Sequence, residues 1–537
     1  MNKFWAEELA QTVLDRHAEP YVVSDWKTPS GHIHVGALRG VLLHDAIAKT
    51  ISSLGKQVRY IYGFDDYDSM DKLPNYLSSD YERYLGQSFS TIPAPDEQGR
   101  PGLEATEESN YGRFFADQFE SVYRGLGVQS ETLRTSVLYR DGFLNLAIKI
   151  ALNQAEDIKA VFKKINTNRT EGREVIPFKH FPINIVCENC HKIATTEATD
   201  WDGEVVGYQC IGVNFAPGCS HKGKASPYNG GAKLPWKVEW AAKFFLFKTD
   251  LEGGGKDHYT KGGSRDVANE IFRSVYAPHL DSQYARVPTD LFYEWLLIEG
   301  RKMATSKGLG DTAFSVAGLL PANALRFLLV RTKPKTAFSF KLSLESTLRL
   351  YDQFDQYLKK FHEDPTSAEG KAFQLSMIDK KAPDFVPKMS SLIYLLQLPN
   401  IDLKATLIKD KGAPLSEIEL SELEQRIEVA KKLISELPSD ERIVLQKILP
   451  VNISLNANQK EFLTALAASF SVLDSWDGLR VHEEIHVVRK SMAIEPKLAF
   501  EALYRIFLNR ESGPQAGWFL ANLDRNFVIK RLQEAGR

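Results

Sequence analysis

Residues 28–36 read Thr28-Pro29-Ser30-Gly31-His32-Ile33-His34-Val35-Gly36. The two glycines let a backbone come close to a flat ligand, and a helix starting here offers unpaired N–H groups to a phosphate. His34 stands near that start, where its imidazole can donate to a phosphate oxygen. A tight turn capped by Ser30 accounts for Pro-Ser-Gly alone; the His-x-Gly that follows tilts the reading toward phosphate binding. A second stretch, Asp65-Asp66-Tyr67-Asp68 with Asp71 behind it, offers carboxylates to an α-ammonium or a cationic side chain, or is a solvated loop. A third, Gly255-Lys256-Asp257-His258 followed by Gly262-Gly263-Ser264, suits a nucleotide- or substrate-contacting turn, or a flexible loop with a satisfied histidine. All four cysteines, Cys187, Cys190, Cys210 and Cys219, fall within 33 residues. A Cys-x-x-Cys turn delivers two soft ligands at once, and four converging thiolates suit tetrahedral zinc. Eight residues separate the second pair, in a glycine- and proline-bearing loop, and His221 is a rival ligand for either member. No set with an open position is visible, so the zinc is expected to be structural.

The elements around these stretches alternate. Tyr21-Val22-Val23 is a short β-type run, a helical pattern spans Gly36 to Leu54 and is closed by Gly55, and Val58-Arg59-Tyr60-Ile61-Tyr62 is a second strand. That order predicts a parallel sheet with ligand sites beyond the carboxyl ends of its strands, where the 28–36 loop and the acidic run both fall. The pattern resumes with a helix over Trp236–Phe247 and an apolar segment Leu291–Ile298, which makes the cysteine segment an insertion. Trp236 and Trp240 sit one helical turn apart, as packed pairs do. Residues 1–330 hold 29 of the 35 glycines, whereas Leu420–Leu437 and Lys460–Leu473 space their apolar residues as helix faces. The last third is therefore expected to be helical.

Length and charge set the outer limits. The 537 residues suggest about three or four domains. With 67 basic against 69 acidic residues, a polyelectrolyte tail and gross disorder are excluded. RNA is not excluded: residues 331–537 carry 30 Lys+Arg against 28 Asp+Glu, and the remainder 37 against 41. The acids of Met1–Glu8 do not fit a signal peptide, and no apolar run approaches the roughly 18 residues of a membrane span. A cytoplasmic location follows as an expectation, with reduced thiols that favour metal over disulfide.

Gly-x-x-His-Val-Gly after a first strand resembles the HIGH signature of class I aminoacyl-tRNA synthetases, read here as His34-Val35-Gly36-Ala37 with Ala37 in place of a donor. Lys302-Met303-Ala304-Thr305-Ser306-Lys307-Gly308 resembles their KMSKS signature, with Ala304 and Thr305 as departures. The resemblance implies that Lys302 and Lys307 bring ammonium groups, and Ser306 a hydroxyl, to charge developing on ATP phosphates. Val186-Cys187-Glu188-Asn189-Cys190, Lys233-Leu234-Pro235-Trp236, Gly255–His258 and Tyr293-Glu294-Trp295 complete a series that, over residues 20–330, resembles class I lysyl-tRNA synthetases. By that resemblance Gly31, His34, Gly36, Gly262 and Gly263 go with ATP. Thr28, Trp236, Asp257, His258, Tyr293 and Glu294 go with lysine, Asp65, Asp66 and Asp68 offering further carboxylates. Trp236 would wall the substrate methylenes and Glu294 meet an ammonium; which acid takes which ammonium stays open.

The fold implied is α/β: a Rossmann-like parallel-sheet catalytic domain followed by an all-α region. Its halves are 1–165 and 236–330, around a zinc-binding insertion at 166–235. A helical connecting domain at 331–370 and a helical anticodon-binding domain at 371–537 follow. The activity implied is ATP-dependent joining of L-lysine to tRNA(Lys), with structural zinc, magnesium accompanying ATP, and no membrane partner. Trp518, Phe519 and Phe527 are candidates to stack on unpaired bases or to fill the core. Ala37, Ala304 and Thr305 motivate one alternative, a paralogue that binds RNA or protein without charging tRNA. A HIGH-type nucleotidyltransferase for a metabolite is another, but it needs neither the cysteine insertion nor the helical extension.

Overall fold

The computed structural model describes residues 3–16, 18–167, 176–294, 296–298, 312–318, 320–340, 343–379, 381–398, 401–438 and 442–537. The chain forms two compact units, Met1–Leu342 with Gln353–Lys381, and Ser343–Asp352 with Ala382–Arg537.

The first unit is built on a five-stranded sheet: β1 Tyr21–Lys27, β2 Val58–Phe64, β3 Glu131–Arg134, β4 Leu251–Gly255 and β5 Thr289–Tyr293. Every pairing is parallel and the order is β5-β4-β1-β2-β3. β1 and β2 pair in unbroken register from Tyr21 opposite Val58 to Lys27 opposite Phe64. Both strands are buried over five consecutive residues, as strands covered on both faces must be. Helix α1, Val35–Ser53, crosses from β1 to β2 and is buried almost all round; Gly55, at φ +75°, turns the chain out of it. From β1 the sheet grows through β2 and β3 on one side and through β4 and β5 on the other. The crevice beyond the carboxyl ends of β1 and β4 is therefore the switch point at which such sheets bind ligands.

The cysteine segment contributes a three-stranded antiparallel sheet, Thr196–Trp201, Val206–Cys210 and Lys222–Ala225. A hairpin pairs Gly212–Val213 with Ala216–Pro217, and a ribbon pairs Asn184–Ile185 with Ala232–Lys233. Ile185, Cys187 and Tyr208 share one core with Val238 and Phe244 of helix α2, Trp236–Phe247. The Leu291–Ile298 segment divides: β5 stops at Tyr293, and Leu296–Ile298 pairs with Phe338–Phe340 outside the main sheet.

In the second unit the expected helix faces appear as Glu417–Glu436 and Ala457–Ser471. Reciprocal capping boxes at Ser416/Glu419 and Asn456/Gln459 start them. Phe462, Leu466, Phe470, Ile485, Phe507 and Phe519 form its core. Among the described residues no helix is long and apolar enough to cross a membrane.

Candidate active site

A cavity of about 950 Å³ opens at the switch point, lined by the ends of β1 and β4, the start of α1, the acidic run after β2 and the face of α2. His34 is the residue before α1, with extended backbone. Its ring lies so close over the helix start that a Cβ at Gly36 would come within 2.7 Å of it. Burial, with Lys27 nearby, lowers its pKa to about 4, so near pH 7 the imidazole is a neutral donor. Nδ1 is buried without a hydrogen-bond partner. Gly31 does not line the cavity: it packs on Tyr76, whose hydroxyl accepts from the His32 N–H at 2.7 Å. Its glycine is needed there because a Cβ would meet that hydroxyl at 2.3 Å.

The acidic run is sorted by its partners. Asp65 pairs with Lys243 of α2. Burial pushes the Asp65 carboxyl up to about 7 against the pull of that lysine. Asp68 accepts from Thr28 Oγ1 at 2.7 Å and pairs with Lys233 at 2.9 Å. Glu239 bridges Lys233 and Lys243 and accepts from Tyr139 Oη at 2.7 Å; despite burial the two lysines hold its pKa at about 2. Asp66 is the exception. Its carboxylate turns from the cavity to accept from the Ser136 N–H at 2.8 Å and the Ser136 hydroxyl at 2.7 Å. It fastens the turn after β2 to the helix after β3.

Lys233, Lys243 and Glu239 carry charges the sequence reading missed. The signal was present: Glu239 and Lys243 are four residues apart in a helix whose one other charged residue is Lys237, the spacing of an internal ion pair. Glu252, on β4, also belongs here, accepting from Ser24 Oγ at 2.7 Å and from Trp240 Nε1.

The far wall is aromatic. Trp236 is 47% exposed toward the opening, stacks on Trp240 at 5.9 Å, and meets the His258 ring edge-on at 5.9 Å. Burial lowers the His258 pKa, which favours a neutral ring. Asp257 lines the same wall, and Glu294 pairs with Lys256 at 2.6 Å beside Tyr293. Gly262 and Gly263 lie off the cavity; the Gly262 N–H donates to Asp266 and Gly263 caps the Ser264–Ile271 helix. They end the turn rather than line the site, as the turn's own length dictates. Lys302, Ser306 and Lys307 lie outside the described residues. Thr312, the first described residue after them, forms an antiparallel bridge with His34.

The Sγ atoms of Cys187, Cys190, Cys210 and Cys219 all lie within 4.8 Å of one another, with Cys187 to Cys219 at 3.5 Å and Cys190 to Cys210 at 3.7 Å. Four sulfurs each about 2.3 Å from one centre stand at about these separations, so the set fits a tetrahedral soft-metal ion. His221 is outside it, its Nε2 lying 3.5 Å from Glu188. The hairpin between Cys210 and Cys219 places Val213 and Phe215 on the cavity wall.

Residues 3–379 match the family model described as class I (K) tRNA synthetases. A lysine–tRNA ligase of Methanocaldococcus jannaschii is 31% identical over 98% of this chain and 99% of its own. One from Thermoplasma acidophilum is 28% identical over 99% of each chain. Another, from Thermoplasma volcanium, is 29% identical over 99% of this chain and 98% of its own.

Proposed function

The chain belongs to the class I (K) tRNA synthetases, and from that premise we propose how its cavity serves the ligation of L-lysine to tRNA(Lys) with ATP. The observation that carries the activity is the likeness to lysine–tRNA ligases along the whole chain. A paralogue that binds without charging is not favoured. The substrate carboxylate is itself the nucleophile: it attacks the α-phosphorus of ATP, pyrophosphate leaves with its electron pair, and a ribose hydroxyl of the tRNA then displaces AMP from the lysyl carbonyl. Such a reaction needs no enzyme nucleophile, only placement and stabilised phosphate charge.

His34 and the first N–H groups of α1, kept open by Gly36, face the phosphates, and Lys302, Ser306 and Lys307 complete that end. Magnesium, brought with ATP, would neutralise part of the phosphate charge. Thr28, Asp65, Asp68, Trp236, Asp257, His258, Tyr293 and Glu294 form the lysine side. Trp236 takes the methylenes, and Asp68, Asp65 and Glu294, held in place by Lys233, Lys243 and Lys256, shape the pocket around it. The four cysteines hold structural zinc, which cross-links the insertion beside the cavity. The helical region takes the anticodon. Phe519 is core and Phe527 packs against it, whereas Trp518, 40% exposed beside His482, is free to stack on a base.

Lysine-dependent ATP–pyrophosphate exchange, followed by aminoacylation of total tRNA, tests the reading. Exchange supported only by another amino acid overturns the specificity. Exchange with lysine but no charged tRNA returns the non-charging paralogue.

A further inference from the structure

Three buried acids line the cavity: Asp25 at 6%, Glu239 at 1% and Glu252 at 2% exposure. Two of them are satisfied. Glu239 sits between Lys233 and Lys243, and Glu252 accepts from Ser24 and Trp240. Asp25 is different. Among the described residues no lysine or arginine pairs with it; it accepts from the Trp26 backbone N–H, and His44 Nδ1 stands 3.5 Å away. That nitrogen lies 2.8 Å from the Gly40 carbonyl, and burial lowers the His44 pKa to about 4, so it brings no charge. Lys27, two residues along β1, shares the field of Asp25 and Asp65 without pairing with either. A buried carboxylate left in this state is costly unless a cation arrives.

A second polar group stands beside it. A Cβ at Gly40 of α1 would lie 3.2 Å from Asp25 Oδ2 and 2.4 Å from Tyr293 Oη, so the carboxylate and the phenol converge over a residue with no side chain. Tyr293 lines the cavity. We propose that Asp25 and Tyr293, over Gly40, hold one of the two ammonium groups of lysine, and that Asp25 is the acid that selects a cationic substrate. This rests on the reading of function given above. Asp65, Asp68 and Glu239, neutralised by resident lysines, then shape the pocket, while the vacant charge belongs to Asp25. Burial first, and Glu252 second, raise the Asp25 pKa well above the carboxylate range, so the empty site favours the protonated acid and an arriving ammonium favours the carboxylate.

The test is equilibrium dialysis with the full-length protein, using L-lysine, norleucine (no ε-amine) and 6-aminohexanoate (no α-amine). Wild type is compared with Asp25→Asn, Asp25→Glu and Gly40→Ala, each checked for a native circular dichroism spectrum and melting curve. Asp25→Asn is expected to weaken lysine about 10- to 100-fold, the worth of a hydrogen-bonded charge. Asp25→Glu recovers part of the loss, and Gly40→Ala weakens lysine by displacing the Tyr293 hydroxyl that stands over residue 40. Asp25→Asn should leave unchanged the binding of whichever analogue lacks the amine that Asp25 holds, a result that a merely structural role does not produce. Equal weakening of lysine and both analogues overturns the assignment, as does wild-type affinity in Asp25→Asn. Should Asp25→Asn not fold, wild-type affinity in folded Gly40→Ala overturns it. A wild-type protein that takes up no lysine overturns the reading of function and this assignment with it.

Discussion

Thr28 donates its hydroxyl to Asp68 across 2.7 Å, and the other oxygen of that carboxylate takes Lys233 at 2.9 Å. One acid thus ties the loop after β1 and the end of β2 to the ribbon that closes the cysteine insertion. Lys233 passes the connection to Glu239, and Glu239 to Lys243 and Asp65. The wall of the cavity is a chain of alternating charges, each residue fixed by the next, and its stability depends on the chain being complete.

Glu239 is the link whose loss should cost most. Glu239→Gln leaves Lys233 and Lys243, both buried, with one carboxylate fewer between them. Breaking a buried pair from one side costs about 3–5 kcal/mol. The exposed pair Arg59–Glu131 serves as control, and Glu131→Gln there should cost less than ~1 kcal/mol. Urea unfolding of the two variants should show this contrast.

Acid should destabilise the protein through its buried histidines. The His44 pKa falls from 6.5 to about 4 on folding, chiefly by burial. Its neutral form therefore contributes stability that is complete above pH 6.5 and is lost as pH falls toward 4. Over that interval the unfolded chain binds the extra proton, so the His44 contribution rises with pH, by up to about 3 kcal/mol. Asp65 acts in the opposite sense: its pKa, raised to about 7, gives stability below pH 4 that fades as pH rises to 7. In His44→Gln, unfolding free energy measured from pH 7 to 4.5 should show a shallower slope, by about one proton, than wild type.

β1 and β2 were legible from their apolar runs and α1 from the glycine that ends it, whereas β3, Glu131-Thr132-Leu133-Arg134, and β4, Leu251-Glu252-Gly253-Gly254-Gly255, carry no such run and were not read from the sequence. Tyr21-Val22-Val23 was too short a reading of β1, however, since Ser24 and Asp25 are polar and still buried. The site was legible where a residue type is tied to a local shape, as at His34, Gly36 and the cysteines. It was not legible where function depends on who faces whom. Nothing in Asp65-Asp66-Tyr67-Asp68 says that Asp66 turns away to Ser136. Nor does anything there say that lysines some 165 or more residues downstream occupy its neighbours, Asp65 and Lys243 being 178 apart. Asp25 escaped for the same reason: its lone carboxylate matters only because Gly40 and Tyr293 come to it across the sheet.

Metal at the cysteines should be felt in the cavity. Cys210 and Cys219 bracket the hairpin that carries Val213 and Phe215 to the wall, and the thiols converge at metal-binding separations. Purified protein should contain one zinc per chain by elemental analysis. Cys190→Ser should lose most of it, expose the 210–219 hairpin to limited proteolysis, and raise KM for lysine with a smaller effect on kcat. Zinc-free wild type with an intact hairpin and unchanged KM argues against the coupling.

His34 and Gly36 should act as one unit in the adenylation step. The imidazole lies against the first turn of α1 only because residue 36 has no side chain; a methyl there would sit 2.7 Å from the ring. His34→Ala removes a donor to the phosphates and should lower kcat of lysine-dependent exchange about 10²- to 10³-fold, with KM for lysine nearly unchanged. Gly36→Ala should reproduce much of that loss by displacing the ring, although it leaves the histidine in place. If displacement is its main effect, the double variant should be little worse than His34→Ala alone, because a ring already absent cannot be displaced again. The protonation state adds a second readout. With a pKa near 4, His34 works as a neutral donor, so its contribution should be constant from pH 5.5 to 8. A rate ratio of wild type to His34→Ala that falls steadily above pH 6.5 would mark a working imidazolium, and would contradict the burial that the structure gives this ring.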